Sequence, residues 1–312
     1  MLDIRIFTRE HIPEAAQLFV HTYNRQRTQT PLLPERPHLY DEVSSVLFRV
    51  IEKPGAAAFR EGTLVGYMVE TGVSTLFMGK KTAFSLDLYS QCTVEFQKEN
   101  IYQKLYEKLS HMWVENGYFT HIFSFWAQDP ALSFIFFRLG FGMTHFELLR
   151  DLSLPESRKI SPSISLGTVD SRDILVSLLE EEPAYYRAAP LFWLLERDES
   201  DEKRVEGDIL AAFEGNEPIG YMHVKENEAE TWLMTDEKTG RIAGAYIKEK
   251  YRQKGIGTAL LCEAVAWARE KGLERIYVEG ESANIQGGNF WMKHFTPVVY
   301  TGRRCIDERV RP

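Results

Sequence analysis

The chain has 312 residues, of which 37 are basic and 45 are acidic, so its formal net charge is −8. A negative charge argues against nucleic acid as the main partner, because phosphate backbones are bound by basic surfaces. Hydrophobic residues make up 44% of the chain, which is ordinary for a globular protein with a buried core. The length predicts about two domains, at roughly 150 residues each.

Cysteine use and hydropathy predict the compartment. The cysteines Cys92, Cys262 and Cys305 form no Cys-x-x-Cys pair, so neither a disulfide-stapled secreted protein nor a zinc site is expected. No run of 18 apolar residues predicts a membrane span, and residues 1–6 lack the pattern of a signal peptide. We therefore expect a cytoplasmic protein without a metal, and the sequence leaves its oligomeric state open.

The first predicted elements recur half a chain later. The segment Ala58–Met68 aligns without gaps with Ala212–Met222, at an offset of 154 residues, and both segments are typical of a β-hairpin. A short strand and an apolar-periodic helix precede the hairpin in each half. Residues 152–163 are rich in Ser and Pro, which indicates a linker. The sequence thus predicts one domain over residues 1–151 and a second over residues 164–312.

The most informative segment follows a predicted strand at Gly244–Ile247. A basic turn that contains Gly255 and Gly257 leads directly into an amphipathic helix. The first N–H groups of a helix are unpaired and partly positive, so they bind phosphate, and glycine allows close approach of the backbone. The segment contains no Walker loop. A dinucleotide fingerprint fits poorly because Leu260 stands at its third glycine, although Glu279 lies where a ribose-binding acid would fall.

The spacing Arg252-x-x-Gly255-x-Gly257 resembles the pyrophosphate loop of the GNAT N-acetyltransferase superfamily. The resemblance implies an α/β (α+β) fold with two tandem GNAT-type domains, each a twisted mixed β-sheet flanked by helices. It also implies acetyl-CoA as co-substrate and an amine acceptor. Backbone N–H groups of residues 253–258 would bind the pyrophosphate, with charge from Arg252 and Lys254. The predicted coenzyme-binding residues are Tyr246, Ile247, Lys248, Arg252, Gln253, Lys254, Gly255, Ile256, Gly257, Thr258, Asn284 and Trp291.

Acetyl transfer further requires a base for the amine and a proton for the thiolate that leaves. Strand alternation places Glu279 and Glu281 on one face at the end of the next predicted strand, and we favour Glu281 as the base. Family members often carry an Asn that contacts the pantetheine and, seven residues later, a Tyr that protonates the thiolate. Here Asn284 matches that Asn, but Trp291 occupies the tyrosine position, and an indole N–H is no acid.

The missing tyrosine leaves Tyr300, Ser282 or water as the predicted proton donor. We favour an N-acetyltransferase in which a primary amine, on a small molecule or a peptide, attacks the thioester directly. The missing tyrosine leaves two alternative functions open. One alternative is a tandem acetyltransferase of the kind that synthesises low-molecular-weight thiols. The other is a non-catalytic module that binds acetyl-CoA as a sensor. A set of aromatic residues before the second sheet would line the acceptor pocket or pack on the sheet: Tyr185, Tyr186, Phe192 and Trp193.

The first half lacks the residues that the resemblance requires. With one further residue of shift, Arg252, Gly255 and Gly257 align with Gln97, Asn100 and Tyr102. A tyrosine side chain would obstruct a pyrophosphate, and residues other than glycine resist unusual backbone angles. The Asn and Tyr positions are occupied by Asp129 and Phe136. We therefore predict that the first half keeps the fold and has lost coenzyme binding.

Overall fold

A computed structural model of the chain describes residues 1–156, 159–169, 175–194, 207–226 and 232–310. Two compact units emerge from the contacts along the chain. The first unit comprises Met1–Phe146 together with Pro297–Pro312, and the second comprises Glu147–Thr296.

Both units contain strands and helices. The strands are β1 (Leu2–Ile6), β2 (Gly55–Arg60), β3 (Thr63–Val69), β4 (Gly72–Phe77), β5 (Lys80–Ser85), β6 (Gln91–Thr93), β7 (Thr120–Trp126), β8 (Gly142–Asp151), β9 (Ile164–Val169), β10 (Asp208–Glu214), β11 (Glu217–Glu226), β12 (Thr239–Ile247), β13 (Arg275–Glu281) and β14 (Thr296–Cys305). The α-helices are α1 (Ile12–Gln29), α2 (Leu39–Arg49), α3 (Lys98–Glu115), α4 (Pro130–Arg138), α5 (Val176–Arg187), α6 (Ile256–Glu270) and α7 (Ile285–His294).

The first unit contains two sets of paired strands. One is an antiparallel arrangement in the order β1-β2-β3-β6, and in the other β5 lies parallel to β7 while β14 pairs antiparallel with β7. Helix α3 buries an apolar stripe of Ile101, Leu105, Leu109 and Trp113, which recurs every four residues as an amphipathic helix requires. Asp129 begins α4 by accepting hydrogen bonds from the first-turn N–H groups.

The second unit is built on one mixed sheet. The strands follow the order β13-β12-β11-β10-β9, with β12 and β13 parallel and the remaining pairs antiparallel, and the end of β8 lies beside β13. Helix α6 presents small and branched apolar residues to this sheet, and its buried face is made of Ile256, Ala259, Leu260, Leu261, Ala264, Val265 and Ala268. Ile174, which the sequence places in the first helix of this half, lies outside the described residues.

The two units repeat their elements in the register that the sequence predicts. The β2–β3 hairpin is bulged between Ala58 and Phe59, and the β10–β11 hairpin is bulged between Ala212 and Phe213, which is the predicted offset of 154 residues. From there the offset is 155, since Thr120–Trp126 corresponds to Arg275–Glu281. The helices α4 and α7 begin at the same offset.

The units differ from the predicted domain boundaries at both ends of the second half. Residues 297–312 were predicted to lie in the second domain, but β14 pairs with β7, for example through Thr301 and Ser124, and therefore belongs to the first unit. Residues from Glu147 onward were predicted to lie in the first domain, yet the Glu147 carboxylate accepts a hydrogen bond of 2.9 Å from the Tyr277 hydroxyl of β13. The two final strands of the repeats, β8 and β14, have exchanged places.

Within the described residues, no helix combines the length and the apolar character needed to cross a membrane. The same residues contain no group of three or more His, Cys, Asp or Glu side chains that is placed to hold a metal ion.

Candidate active site

A gap opens between β12 and β13 in the second unit. The two strands pair from Thr239 to Ile242 only, whereas β12 stays paired with β11 as far as Ile247. The strand changes register at this point, because His223 is opposite Gly244 while Val224 is opposite Ile242, which leaves Ala243 as an extra residue. A bulge bends and twists its strand. The last residues of β12 therefore diverge from β13.

Of the predicted coenzyme-binding residues Tyr246, Ile247 and Lys248, one has a backbone N–H group that faces this gap. The Lys248 N–H donates to the Ile219 carbonyl of β11 at 2.9 Å. Because N–H groups alternate in direction along a strand, the Tyr246 N–H also points to β11 and the Ile247 N–H points into the gap. The Ile247 carbonyl is on the same side, since it accepts a hydrogen bond of 2.9 Å from Arg252 Nε. Ile247 is thus the strand residue whose peptide group is available to a ligand.

The turn after β12 has an unusual backbone conformation that exposes the start of α6. Gln253 has φ +62° and Gly255 has φ +85°, so the chain passes through the left-handed region twice before α6 begins at Ile256. No side chain caps this helix. Its first N–H groups, which include those of Gly257 and Thr258, therefore lack a capping partner and concentrate partial positive charge at the gap.

Gly257 is also required by packing. A Cβ atom at this position would lie 3.3 Å from Cε2 of Phe290 on α7 and 3.4 Å from Cδ1 of Ile247. Most side chains would push these neighbours away. Close packing of α6 against α7 and the end of β12 therefore explains this glycine as well as the predicted approach of a ligand does.

The two predicted phosphate-binding cations, Arg252 and Lys254, have different contacts. Arg252 stacks 4.5 Å from the centre of the Tyr185 ring and donates to Oε1 of Gln286 at 2.8 Å. The exposed Lys254 has its Nζ 5.3 Å from the Tyr251 ring, which leaves its charge on the solvent side of the turn. Arg252 is fixed at the gap, and Lys254 is accessible to a phosphate.

Lys248 has other partners. Its buried ammonium pairs with Glu217 at 2.9 Å and with Glu181 at 3.5 Å. Burial favours the neutral amine, but hydrogen bonds and charges of the two carboxylates outweigh burial and raise the pKa of Lys248. Both its backbone N–H and its side chain are therefore used within the fold, and the prediction that Lys248 contacts the coenzyme finds no support in this geometry.

The two candidate bases differ in their surroundings. Glu279 forms an ion pair with Arg241 and accepts a hydrogen bond of 3.0 Å from the Tyr277 hydroxyl. The Glu281 carboxylate is half-buried at the end of β13 and makes no hydrogen bond or ion pair within the described part of the chain. A base must have a free lone pair to accept a proton, so the geometry favours Glu281.

Asn284 forms a hydrogen bond with Tyr185, which is not among the predicted coenzyme-binding residues. Its Oδ1 accepts a hydrogen bond of 3.0 Å from the Gly287 N–H and thereby caps α7. The same oxygen accepts a hydrogen bond of 2.6 Å from the hydroxyl of Tyr185. Tyr185 comes from α5, 99 residues earlier, and sequence analysis placed it in the acceptor pocket or on the sheet. No local pattern could have identified a contact at this distance along the chain.

Two further predicted residues, Trp291 and Tyr300, have contacts of their own. Trp291 packs on α7 between Phe290 and Phe295, at ring distances of 4.9 and 5.5 Å. Tyr300 lies on β14 in the first unit, opposite Phe125 of β7, and burial raises its pKa. Within the second unit, the structure therefore brings together the Ile247 peptide, Arg252, Asn284 and Tyr185.

Comparison with known proteins finds similarity in the part of the chain that contains this gap. Residues 173–295 match the model of the acetyltransferase (GNAT) family. A search of characterised proteins finds streptothricin acetyltransferase A of Bacillus subtilis (strain 168), which is 34% identical over 108 residues. This alignment covers 34% of the present chain and spans 58% of the length of that relative. Residues 173–295 are therefore similar to the GNAT family, whose enzymes use acetyl-CoA as co-substrate.

Solved structures extend the likeness of fold to the whole chain. A GCN5-related N-acetyltransferase from Sphaerobacter thermophilus superposes with a TM-score of 0.57 at 14% identity, covering 100% of this chain and 96% of that one. A GCN5-related glucosamine N-acetyltransferase region of a fungal multi-domain β-N-acetylglucosaminidase gives 0.53 at 14% identity, covering 97% of this chain and 38% of that one. At this identity the likeness shows the fold alone.

Proposed function

We propose that the second unit binds acetyl-CoA and transfers its acetyl group to a primary amine, on a small molecule or a peptide, by direct attack. The observation that carries this proposal is the uncapped start of α6 beside the gap between β12 and β13. A family model that covers α5 to α7 supports it, as does the similarity to a protein named for acetyl transfer to streptothricin. A cytoplasmic location stays a prediction.

The residues of the gap have distinct roles in this proposal. The N–H groups of residues 253–258 and the ammonium of Lys254 bind the pyrophosphate. The Ile247 N–H donates to the thioester carbonyl and stabilises the negative charge that develops on its oxygen. Glu281 removes a proton from the amine, directly or through water, so that the nitrogen lone pair attacks the carbonyl carbon.

Titration calorimetry with acetyl-CoA, followed by a thiol-release assay over a panel of amines, tests the proposal. We expect one acetyl-CoA site per chain and release of CoA with at least one amine. Absence of acetyl-CoA binding, or two equivalent sites per chain, would contradict it.

A non-catalytic acetyl-CoA-binding module is the second candidate function. Trp291 favours this candidate, because it replaces the tyrosine that the family resemblance would supply as proton donor. Tight binding of acetyl-CoA without turnover of any amine on the panel would favour the binding module over the enzyme.

A further inference from the structure

We propose that Tyr185 is the group that protonates the CoA sulfur as it leaves. This inference rests on the proposed acetyl transfer. Trp291 occupies the position where the resemblance predicts a tyrosine as proton donor. Tyr185 would take that role, because the fold brings its phenol from α5 to the gap between β12 and β13.

The position of Tyr185 carries the inference. Its ring is 4.5 Å from the Arg252 guanidinium and 6.2 Å from the ring of Tyr246 on β12, and its hydroxyl donates to Asn284 at the start of α7. The side chain therefore spans the gap from the β12 side to the α7 side. An acyl-pantetheine arm that starts at the α6 turn and enters the gap must pass this hydroxyl.

Four other phenols of the second unit donate to carboxylates. Tyr221 donates to Glu182, Tyr251 to Glu214, and Tyr277 to Glu147 and Glu279, whereas the bond of Tyr246 to Glu181 is weak at 3.5 Å. A short hydrogen bond to a carboxylate is charge-assisted and opposes the release of the phenol proton to another base. Tyr185 donates to a neutral amide oxygen instead. A thiolate is a stronger acceptor than an amide, so it can replace Asn284 as the partner.

The surroundings of Tyr185 suit an acid that is protonated at neutral pH. Burial raises the pKa of Tyr185, and the positive charge of Arg252 opposes this rise while Glu281 adds to it. The phenol is therefore protonated at neutral pH and can donate its proton to a sulfur anion beside it. Arg252, stacked on the ring, stabilises the phenolate that results.

The proposed step balances in atoms and charge. The amine nitrogen forms the new C–N bond, and its proton moves to Glu281. The C–S bond breaks and its electron pair stays on sulfur, which takes the proton of the Tyr185 hydroxyl. The Tyr185 phenolate then recovers a proton from solvent water, and Glu281 releases its proton to solvent.

The first test is kinetic and compares two tyrosines of the second unit. Tyr185→Phe keeps the ring on Arg252 and removes only the hydroxyl, and we expect kcat to fall about a hundredfold. Tyr221→Phe is the control, because it removes a hydroxyl that donates to Glu182 on the same helix as Tyr185, and it should leave kcat within about twofold. A Tyr185→Phe variant with the kcat of the wild type would overturn the proposal.

The second test measures binding and requires no turnover. A donor at the sulfur favours the thiolate of free CoA, so at pH 9 Tyr185→Phe should bind CoA about tenfold more weakly than the wild type does. Its affinity for acetyl-CoA, whose sulfur carries no charge, should not change. Equal losses for both ligands would show that Tyr185 only shapes the site, and would overturn the proposal.

The wild-type protein gives a check that does not depend on any variant. Between pH 7 and pH 9 its affinity for CoA should rise relative to its affinity for acetyl-CoA, because a thiol ionises in this range. A constant ratio contradicts the role of Tyr185. Acetyl-CoA binding and turnover by the wild type would still support the proposed function, so the two failures are distinguishable.

Discussion

The two units share several elements in the same register, and they differ at the turn that precedes α6 in the second unit. At the offset of 155 residues, α3 and α6 end together at Glu115 and Glu270, but α3 begins three residues earlier, at Lys98. The counterpart of Gly255 is therefore Asn100, inside a helix. Tyr102, the counterpart of Gly257, is buried. The first unit has replaced the turn with an additional helical turn.

An internal ion pair occupies the corresponding place in the first unit. The buried ammonium of Lys98 lies 2.5 Å from Oδ2 of Asp129 and 2.7 Å from Glu95. Asp129 corresponds to Asn284 and caps its helix in the same way, but it brings a negative charge. A carboxylate at this position repels an anionic coenzyme. The comparison shows that the capping geometry survives a change of chemistry, whereas the ligand-binding turn does not.

The largest expected effect tests whether β14 belongs to the first unit and the end of β8 to the second. Residues 164–312, the domain predicted from sequence, lack Glu147–Asp151 beside β13 and carry β14 without its partner β7. We expect this fragment to aggregate, whereas residues 147–296 should unfold in one cooperative transition. Circular dichroism melting of both fragments checks this. Equal stability of the two would contradict the exchange.

The next effect concerns Glu281, whose counterpart in the first unit is Trp126. Glu281→Gln should lower kcat about a hundredfold to ten-thousandfold, remove the acidic limb of the pH–rate profile and leave acetyl-CoA affinity nearly intact. Glu279→Gln should cost far less, because Arg241 and Tyr277 already hold that carboxylate. Steady-state kinetics of the two variants measure this difference. A larger loss of kcat in Glu279→Gln than in Glu281→Gln would assign the base to Glu279.

A smaller effect is expected at the start of α6. Thr258→Asp places a negative charge in the first turn, where it favours the helix but repels a pyrophosphate, so acetyl-CoA affinity should fall about tenfold without loss of thermal stability. Thr258→Asn is the neutral control of nearly the same shape. In the first unit, Gln103→Asp stands at the counterpart position and should leave affinity and stoichiometry unchanged. Calorimetry that shows equal losses for Asp and Asn would argue against an anion at this turn.

The smallest predicted effect concerns stability and a core residue that differs between the two units. His121 of β7 corresponds to Ile276 of β13, and burial lowers the pKa of His121 to about 4. In the unfolded chain His121 binds a proton near pH 6.5, whereas in the folded chain it stays neutral until about pH 4. The free energy of unfolding therefore falls as the pH drops from 6.5 toward 4. Between pH 7 and pH 5.5 the loss is about 1 kcal/mol.

The variant His121→Ile should remove this part of the pH dependence. Denaturant unfolding at the two pH values measures it, and the wild type should lose more stability than the variant. An equal loss in both proteins would show that His121 is not the group responsible. Tyr106, which bonds the ring of His121, keeps Arg304 as a partner in the variant.

Sequence analysis recovered the features that depend on local pattern. The hairpin repeat, the shift to 155 residues and the turn before α6 each follow from periodicity and glycine placement over a few residues. Contacts between distant segments were missed. Nothing near Tyr185 indicates a bond to Asn284, and nothing near Thr296–Cys305 indicates that this strand pairs with β7. The ion pairs of Lys248 were missed because its carboxylate partners lie on other elements.

The place of β14 in the first unit also determines when that unit can fold during synthesis. Until Thr296–Cys305 has been synthesised, one edge of β7 stays unpaired, although Phe123, Phe125 and Trp126 of that strand are destined for the interior. An apolar strand with a free edge is a template for intermolecular pairing. The first unit, although translated first, must therefore wait for the final strand. A nascent chain that stops before this strand should depend on chaperones, and a stop codon near residue 296 should be far more damaging than the loss of ten surface residues.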